Sequence, residues 1–475
     1  MAHAATVQVG EIAHSPFPRS ASVYALKELA RRGGVAAELF GLWKIEFDRD
    51  NFLSVYVKPG ARSRIRFPLA SQQFWQEINA GSIRTSTASW MHPPTAAQEN
   101  ISDVKIPFST REARHIGPLF ALQGRDCIEC AVDLPISALL TLSRFEETRS
   151  FTFDDHNRFS AFSSIAWRDG FLHRPVVDEC ALAFAQAVAC LLPTWKPDKN
   201  HFRVLLGHDV DDVGLPFVFR SALGHALRRR STASTFRDLL APVLRSDTTY
   251  QHLLRKLVMI SVARGLKPAI YWKSSSPGPY DRGYRLQDKR ISALAKEFTN
   301  RGIEMGIHPG YQTFRSREKL SAELNAVQRW LGQRPLGGRQ DYLRWNPGTW
   351  LLWESLGMAY DASVGFADHI GFRAGTCHPY RPWLISEQRE ANLLEVPLLA
   401  MDTTLQGYMK LNPEEALSRL QACVAKCRAV GGVFSLAWHN TTMMNAGYTR
   451  IYTRLVEELA GSESYDWRAP SNAID

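Results

Sequence analysis

Residues 203–212, Arg203-Val-Leu-Leu-Gly-His-Asp-Val-Asp-Asp212, run from a short apolar stretch into a cluster of acidic side chains. The apolar stretch is typical of a buried strand. Side chains two residues apart on an extended chain point the same way, so we expect Asp209 and Asp211 to share one pocket. Three carboxylates within four residues repel one another unless a cation or a shared proton compensates them. The stretch therefore indicates a metal site with a general base or, alternatively, an acidic turn that caps a helix.

Strand-like and helix-like segments alternate along the chain from this stretch onward. Such alternation indicates a parallel sheet with crossover helices, as in an α/β barrel or an open α/β sheet. In both architectures, active sites are built at the carboxyl ends of the strands. The predicted strands are Arg203–Gly207, Lys267–Trp272, Glu304–Ile307, Met358–Tyr360, Leu394–Ala400 and Gly432–Trp438, and the predicted helices are Asp288–Arg301, Ser316–Leu331 and Pro413–Val430.

Two more polar clusters stand at the ends of predicted strands. One is His308-Pro-Gly-Tyr-Gln312, and the other is Trp438-His439-Asn440. Imidazole and carboxylate together suit Zn²⁺ or another divalent transition metal. We expect these clusters to meet the aspartates of residues 209–212 at one edge of the sheet. A lone histidine is more often a packed, hydrogen-bonded residue than a ligand, and this alternative stays open for His308 and His439 taken singly.

The part of the chain before residue 196 has mixed signals and no recognisable site. Residues Ala21–Arg32 and Ile136–Phe145 have helical spacing, and Phe52–Val57 alternates as a strand does. Residues Leu192–Asn200 contain two prolines and follow a helical run from Asp178 to Leu192. We therefore predict an N-terminal α+β domain over residues 1–195 and a second domain over residues 196–475.

The positive charge of the chain is concentrated in one segment. The whole chain has 57 Lys and Arg against 47 Asp and Glu, net +10. Residues 196–350 hold 27 basic and 13 acidic side chains, net +14. The basic runs His225–Arg230 and Arg255-Lys256 lie on predicted helices without any helix-turn-helix, zinc-finger or RNA-binding signature. We therefore expect no nucleic-acid partner and interpret the charge as suited to an anionic or phosphate-linked substrate.

Composition and targeting signals narrow the class of protein further. Hydrophobic residues make up 45% of the chain, which is typical of a globular protein. The first ten residues lack the basic and apolar regions of a signal peptide, and the longest apolar run, Ala181–Pro193, is too short for a membrane span. Seven Cys form no disulfide framework, so we expect a cytoplasmic protein without a transmembrane segment. No phosphate-binding glycine motif is present, which disfavours a nucleotide-dependent enzyme.

Taken in order, the strand-end clusters resemble the motifs of the polysaccharide deacetylase family, the NodB-like, family 4 carbohydrate esterases. The resemblance implies a distorted (β/α) barrel-like deacetylase domain over residues 196–475. It also implies that Asp209 is the general base and Asp211 a metal ligand. By the same resemblance His308 is a ligand, Arg339 in Gly338-Arg-Gln-Asp341 orients the base, and His439 in Leu436-Ala-Trp-His439 is the general acid.

The resemblance is stronger to one branch of that family. Its members contain a sequence similar to residues 360–380 and have a domain of unknown function ahead of the deacetylase domain. Residues 135–192, with Leu142-Ser-Arg-Phe-Glu-Glu147, resemble the end of that leading domain. The implied activity is metal-dependent removal of an acyl group from an N-acylated sugar or polysaccharide precursor. This is hydrolysis of a carbon–nitrogen bond other than a peptide bond, in polysaccharide biosynthesis.

One residue departs from the family pattern. Typical members have a second histidine four residues after the first, and here Gln312 occupies that position. Either Gln312 is the third metal ligand through its carbonyl, or another group replaces it, the candidates being His208, Asp212, Asp341 and His378. The remaining alternative is that metal binding is lost and the chain is a glycan-binding pseudoenzyme.

Aromatic residues near these clusters are candidates for the walls of a carbohydrate site. They are Tyr311, Tyr342, Trp345 and Trp438, of which we expect about half to be core residues instead. The predicted partners are thus a carbohydrate substrate and a divalent metal ion, with Zn²⁺ favoured. The sequence leaves the sugar, the acyl group and the oligomeric state open.

Overall fold

The computed structural model describes residues 15–58, 60, 62–89, 103–149, 153–214, 250–275, 278–281 and 284–465. The basic run His225–Arg230 lies outside the described residues. Among the described residues, no helix has both the length and the apolar character needed to cross a bilayer.

The leading part (residues 15–191) combines helices with two small sheets. One sheet has the order β1-β2-β3-β8-β7 and the other β5-β4-β6. This is the predicted α+β architecture. Its helices are α1 (Arg19–Arg32), α2 (Ala37–Gly41), α3 (Gln72–Asn79), α4 (Leu134–Leu142), α5 (Ile165–Arg168) and α6 (Val176–Leu191), and its strands are β1 (Lys44–Phe47), β2 (Phe52–Tyr56), β3 (Arg64–Pro68), β4 (Thr85–Ser89), β5 (Asp103–Pro107), β6 (His115–Pro118), β7 (Phe120–Leu122) and β8 (Cys127–Cys130).

The barrel part (residues 203–465) alternates strands and helices. Its strands are β9 (Arg203–Val210), β10 (Ala269–Trp272), β11 (Glu304–Ile307), β12 (Gly337–Gly338), β13 (Tyr360–Asp361), β14 (Trp383–Leu384), β15 (Arg389–Glu390), β16 (Leu394–Glu395), β17 (Ala400–Met401), β18 (Val433–Ala437) and β19 (Glu463–Ser464). Its helices are α7 (Tyr250–Val262), α8 (Lys289–Asn300), α9 (Arg317–Leu331), α10 (Pro347–Ser355), α11 (Pro413–Ala429) and α12 (Ala446–Glu458).

The main strands of the barrel part form one parallel sheet in the order β16-β13-β12-β11-β10-β9-β18-β17. The two ends of this order meet in the chain segment 394–401. Residues Leu394–Glu395 pair with β13, and residues Ala400–Met401 pair with β18. One short segment therefore contributes a strand to each edge of the sheet, which gives the domain the predicted distorted (β/α) barrel-like architecture.

The two faces of β9 explain which side chains reach the barrel interior. Leu205 belongs to the small cluster inside the barrel, whereas Val204 and Leu206 pack under the surrounding helices. Because side chains alternate along a strand, Asp209 points inward with Leu205 and His208 points outward. The Nδ1 atom of His208 lies 3.0 Å from the backbone oxygen of Trp438, and burial lowers its pKa to about 4.

Several helices begin at the polar caps that their sequences contain. Asp288 and Ser316 accept hydrogen bonds from the first turns of α8 and α9. Asn346 and Asn412 form capping boxes ahead of α10 and α11, and each is followed by proline, which is favoured at the first helical position. These caps account for the close agreement between predicted and observed helix starts.

The leading part packs directly on the barrel. A single hydrophobic cluster runs from Phe17 in the leading part to Leu393 in the barrel part. A buried ion pair and a buried hydrogen bond cross the same boundary. Arg373 Nε donates to Glu147 Oε1 at 2.9 Å, and Cys377 donates its backbone N–H to Asp178 Oδ2 at 2.9 Å.

The predicted strand Met358–Tyr360 is found at Tyr360–Asp361, and larger differences concern β12, β9 and the segment of β16 and β17. Strand β12 is only two glycines long and has no apolar pattern to reveal it. Strand β9 extends three residues beyond Gly207 and so includes Asp209. The predicted strand Leu394–Ala400 is divided between β16 and β17, because it leaves one neighbouring strand to join another.

Candidate active site

A buried ion pair lies at the carboxyl end of β9. Asp209 Oδ1 accepts a hydrogen bond of 2.8 Å from Arg339 Nη1, and both side chains are buried. Arg339 follows β12 directly and also donates from Nε to the backbone oxygen of Ala362 at 2.9 Å. Burial alone would raise the pKa of Asp209, but the Arg339 guanidinium holds it below the ordinary value. Asp209 is therefore an ionised, oriented carboxylate.

Two glycines, which have no side chain, provide the space that this ion pair occupies. A Cβ atom on Gly207 would lie 2.7 Å from Arg339 Nη2, and one on Gly306 would lie 2.5 Å from the ring of Tyr271. The guanidinium of Arg339 stands 5.0 Å from the centre of that ring. Larger side chains on β9 or β11 would therefore displace Arg339 from the barrel interior.

Two carboxylates and one imidazole converge next to the ion pair. His308 Nε2 lies 3.3 Å from Asp211 Oδ1 and 3.2 Å from Asp341 Oδ1. The ligand atoms of these three residues, the Asp–His–Asp cluster, all lie within 4.8 Å of one another. His308 Nδ1 lies 2.7 Å from the backbone oxygen of Arg339, which fixes the ring with Nε2 toward the carboxylates. This is a donor set that a divalent metal ion could use.

A buried lysine adjoins the Asp–His–Asp cluster. Lys273, the residue after β10, donates from Nζ to Asp341 Oδ2 at 2.9 Å. The same nitrogen lies 3.5 Å from Asp211 Oδ1 and 3.5 Å from Asp281 Oδ1. Burial alone would lower the pKa of Lys273, but these carboxylates raise it, so the side chain carries a positive charge. Lys273 thus binds Oδ2 of Asp341, and Oδ1 of the same carboxylate faces His308.

A second histidine faces the cluster from β18. His439 Nδ1 lies 2.6 Å from Asp402 Oδ1, and its Nε2 lies 3.6 Å from Asp211 Oδ2 and 3.9 Å from Asp209 Oδ2. Asp402 Oδ2 also accepts the backbone N–H of His439 at 2.9 Å. Burial alone would lower the pKa of His439, but Asp402 and the pocket aspartates raise it to about 9. His439 is therefore a proton donor aimed into the pocket.

These groups open into one pocket of about 340 Å³ at the carboxyl end of the barrel. The side chains around it include polar, acidic and aromatic groups. Tyr342 and Tyr280 are partly exposed on its rim. Its lining consists of Arg158, Asp209, Asp211, Asp212, Tyr250, Lys273, Tyr280, His308, Gln340, Asp341, Tyr342, Leu343, Met401, Thr403, Tyr408, His439 and Thr441.

The structure does not place Gln312 in the Asp–His–Asp cluster. Its side chain is exposed and lines a neighbouring cavity with Ser275, Asp281 and Glu323. The prediction that Gln312 is a metal ligand is therefore not supported, because the chain turns away from the pocket after His308. Of the substitutes that the sequence offered, Asp341 is the one that lies beside His308.

The other substitutes serve different roles. His208 points outward from β9, and His378 Nε2 lies 3.0 Å from the backbone oxygen of Val430 in the core. Asp212 lines the pocket, but its Oδ1 accepts the backbone N–H of Gly214 at 2.8 Å. Neither histidine reaches the pocket.

One of the four aromatic candidates lines the pocket, and the other three are buried. Tyr342 lines the pocket, and Tyr311 stacks on Tyr280 with ring centres 4.2 Å apart. Trp438 is fully buried against Tyr452, and Trp345 is buried against Trp350. The interpretation of Trp438 as a wall of the site is wrong, because it precedes His439 and therefore faces the helices when His439 faces the pocket.

Two residues of the site, Lys273 and Asp402, were not singled out from the sequence. Each directly follows a strand, Lys273 after β10 and Asp402 after β17. The rule that polar residues at strand ends build the site would have identified both. Lys273 sits between apolar and serine residues, and Asp402 stands alone, so neither formed a visible cluster.

Comparison with known proteins gives separate results for the two parts of the chain. Residues 56–193 match the family model DUF7033, a family of unknown function. No curated protein matches the chain. This agrees with the domain of unknown function expected ahead of the barrel.

Solved structures similar to the chain include three from bacteria. A proposed polysaccharide deacetylase from Mycobacterium smegmatis shares 16% identity over 56% of this chain and 87% of its own, with a TM-score of 0.38. A CE4 family pseudoenzyme from Bacillus anthracis shares 11% over 57% and 64%, with a TM-score of 0.30. A family 4 carbohydrate esterase from Streptomyces lividans, in complex with acetate, shares 10% over 56% and 94%, also with a TM-score of 0.30.

The TM-scores all lie below 0.5, so these similarities carry no conclusion about function. The family model agrees with the leading domain of the resemblance seen in the sequence. In that resemblance, a domain of unknown function precedes a barrel similar to those of NodB-like polysaccharide deacetylases.

Proposed function

We propose that the chain is a metal-dependent hydrolase that removes an acyl group from an N-acylated carbohydrate. One observation carries this proposal. A single pocket combines an ionised aspartate paired with an arginine, the Asp–His–Asp cluster, and a histidine paired with Asp402. A base, a metal site and an acid within one pocket are the parts that hydrolysis of an amide needs.

The residues present fit a divalent cation. Asp211 Oδ1 is buried and has no hydrogen bond of good geometry among the described residues. His308 Nε2 at 3.3 Å and Lys273 Nζ at 3.5 Å are its ion-pair neighbours, and a divalent ion would contact this oxygen directly. Two carboxylates and an imidazole suit Zn²⁺ and related ions. We propose that Asp211, His308 and Asp341 hold such an ion. When bound, the ion supplies Lewis acidity toward the acyl carbonyl and the attacking water.

Asp209 is the proposed general base. Its Oδ1 is engaged by Arg339, which leaves Oδ2 toward the pocket, 3.9 Å from His439 Nε2. A carboxylate held in this way can accept a proton from water positioned between it and the acyl carbon. Arg339 keeps the carboxylate ionised and fixes its direction, so it is a positioning residue.

His439 is the proposed general acid. Asp402 binds Nδ1 and therefore directs the Nε2–H toward the pocket. The raised pKa of about 9 keeps the imidazole protonated at neutral pH. From this position, Nε2 can donate its proton to the departing amine when the carbon–nitrogen bond breaks.

The proposed substrate class is an N-acylated sugar or glycan. Tyr342, Tyr280 and Tyr408 present partly exposed rings around the pocket, and such rings are common linings of ligand sites. An anionic or phosphate-linked substrate remains a prediction from the charge of residues 196–350. Its most basic run, Arg228–Arg230, lies outside the described residues.

The test is acetate release from a panel of N-acetylated glycans by the full chain. Asp209→Asn should reduce the rate at least about 100-fold, as loss of a general base does, while its Zn²⁺ content stays equal to that of the wild type. Glu323→Gln, a carboxylate in the neighbouring cavity, is the control and should retain activity. If Asp209→Asn releases acetate as fast as the wild type does, the assignment of Asp209 as the base is refuted.

A non-catalytic glycan-binding protein is the second candidate, and Lys273 favours it. Its ammonium lies within 3.5 Å of three carboxylates and could compensate them in place of a metal ion. On this alternative, the wild type binds no Zn²⁺ and Lys273→Met gains Zn²⁺ binding. On the proposed function, the wild type already binds one Zn²⁺ per chain.

A further inference from the structure

The loop that presents Asp341 has an unfavourable backbone. Residues 339–344, the site loop, carry both Arg339 and Asp341. Immediately after Asp341, Tyr342 has φ 57° and Leu343 has φ 53°. Two consecutive side-chain-bearing residues in the left-handed region are rare and persist only where the surroundings hold them. The position of Asp341 therefore depends on contacts made to this loop.

The leading part makes two of those contacts directly. Arg158 Nη1 donates to the backbone oxygen of Tyr342 at 3.0 Å. In the opposite direction, Arg344 Nε donates to the backbone oxygen of His156 at 2.8 Å. The ring of His156 also packs on the ring of Tyr342, with centres 4.9 Å apart. Residues 154–158 thus bind the site loop at the left-handed residue Tyr342 and at Arg344, which follows the two left-handed residues.

Arg158 is itself held rigidly. Asp154 Oδ2 accepts from its Nε at 2.7 Å, and its Nη2 donates to the hydroxyl of Tyr408 at 2.8 Å. Its side chain is only 5% exposed, although it lines the pocket. An arginine fixed by a carboxylate at one end can hold a neighbouring backbone in one geometry.

We propose that residues 154–158 of the leading part, within the region that matches the family of unknown function, are a structural component of the active site. Arg158 and the backbone of His156 hold the site loop so that Asp341 reaches His308. Arg158 is a positioning residue for the Asp–His–Asp cluster. This inference rests on the proposed function for the role of the cluster as a metal site. It gives the leading part a purpose that neither the sequence nor the comparisons assign.

The contacts of residues 154–158 differ from the other contacts between the two parts. The Arg373–Glu147 ion pair and the Asp178–Cys377 hydrogen bond join the parts away from the pocket. The contacts of residues 154–158, by contrast, meet residues 339–344 directly. The inference therefore concerns the assembly of the site rather than general cohesion of the fold.

The test compares Arg158→Ala with Arg168→Ala in the full chain. Arg168 is a matched control, because it pairs with Asp169 and donates to Ile83 O within the leading part. Zn²⁺ affinity is measured by calorimetry. We expect Arg158→Ala to weaken binding by about 10- to 100-fold, the range for residues that orient metal ligands. The control should bind Zn²⁺ as the wild type does.

A second readout does not depend on metal. In the metal-free chain, the backbone amides of residues 342–344 should exchange hydrogen faster in Arg158→Ala than in the control. If Arg158→Ala does not fold, Asp154→Ala provides the same test, because it removes the carboxylate that orients Arg158.

The outcomes separate this inference from the proposed function. If the wild type binds no Zn²⁺, the metal site of the proposed function fails. If the wild type binds Zn²⁺ and a folded Arg158→Ala chain binds it equally well, with unchanged amide exchange, the inference about residues 154–158 is overturned.

Discussion

Replacement of Asp402 by asparagine should change the titration of His439. Burial alone would lower the pKa of His439, but Asp402, which lies 2.6 Å from its Nδ1, raises it together with Asp211 and Asp209 to about 9 from the ordinary 6.5. Asparagine keeps the shape of the side chain and loses the charge. At pH 8 a pKa of 9 leaves ~90% of the imidazole protonated, against ~3% at a pKa of 6.5. In the variant, the protonated fraction of His439 should therefore be up to about 30-fold lower at pH 8 and almost unchanged at pH 6.

The assay is a histidine NMR titration of the metal-free full chain, with His439→Gln used to assign the signal. Acetate release measured against pH in the metal-loaded chain should show the same change. Its alkaline limb should move to lower pH in Asp402→Asn. Asp368→Asn is the control, because Asp368 binds Ser160 and the backbone of Ala161 outside the pocket. A His439 pKa that stays near 9 in Asp402→Asn would refute the assigned role of Asp402.

Three more predictions concern the metal site, the barrel interior and the buried ion pairs of Glu28 in α1. Gln312→Ala should leave Zn²⁺ affinity within about twofold of the wild type by calorimetry, since such exposed side chains contribute little, and a tenfold loss would contradict its placement. Gly207→Ala should destabilise the chain by about 1–3 kcal/mol in urea unfolding, because the added Cβ meets Arg339; unchanged stability would show that Arg339 lies elsewhere. Burial would raise the pKa of Glu28, but two neighbouring arginines lower it to about 2. Its ion pairs should therefore contribute about 3 kcal/mol above pH 5 that is lost as pH falls toward 2. The free energy of unfolding, measured at pH 5 and pH 3, should fall less in Glu28→Gln than in the wild type. An equal fall in the two chains would refute this contribution of Glu28.

The parallel barrel could be predicted because its strands are apolar and its helices are capped. Periodicity located β9, β11 and β18, and the polar residues after them belong to one pocket in the structure. The shared direction of Asp209 and Asp211 followed from alternation along an extended chain. Local pattern was sufficient wherever an apolar strand led directly into a functional residue.

The partner of His308 could not be predicted with the same certainty. Gln312 was favoured by its spacing in the resembling family, whereas Asp341 follows a strand of only two glycines. A strand without apolar residues has no periodic signal, so the residues after it cannot be placed by pattern alone. Which of several polar residues faces His308 was decided by the path of the site loop.

The contribution of the leading part was also beyond local sequence reasoning. Arg158 lies 184 residues before Tyr342, whose backbone oxygen it binds, and His156 lies 188 residues before Arg344, whose Nε donates to the His156 backbone oxygen. Nothing in the residues around them indicates a role in the pocket. Contacts at such separation depend on how the two parts pack, and that packing is fixed by the shared core and its buried ion pairs.

The most direct test of the proposed metal centre is an anomalous-scattering map of the full chain crystallised with Zn²⁺. The structure predicts one strong peak at about 2.0–2.2 Å from ligand atoms of Asp211, His308 and Asp341, the usual distances for nitrogen and oxygen ligands. A map without a peak there, or with its peak in the cavity that Gln312 lines, would contradict the account.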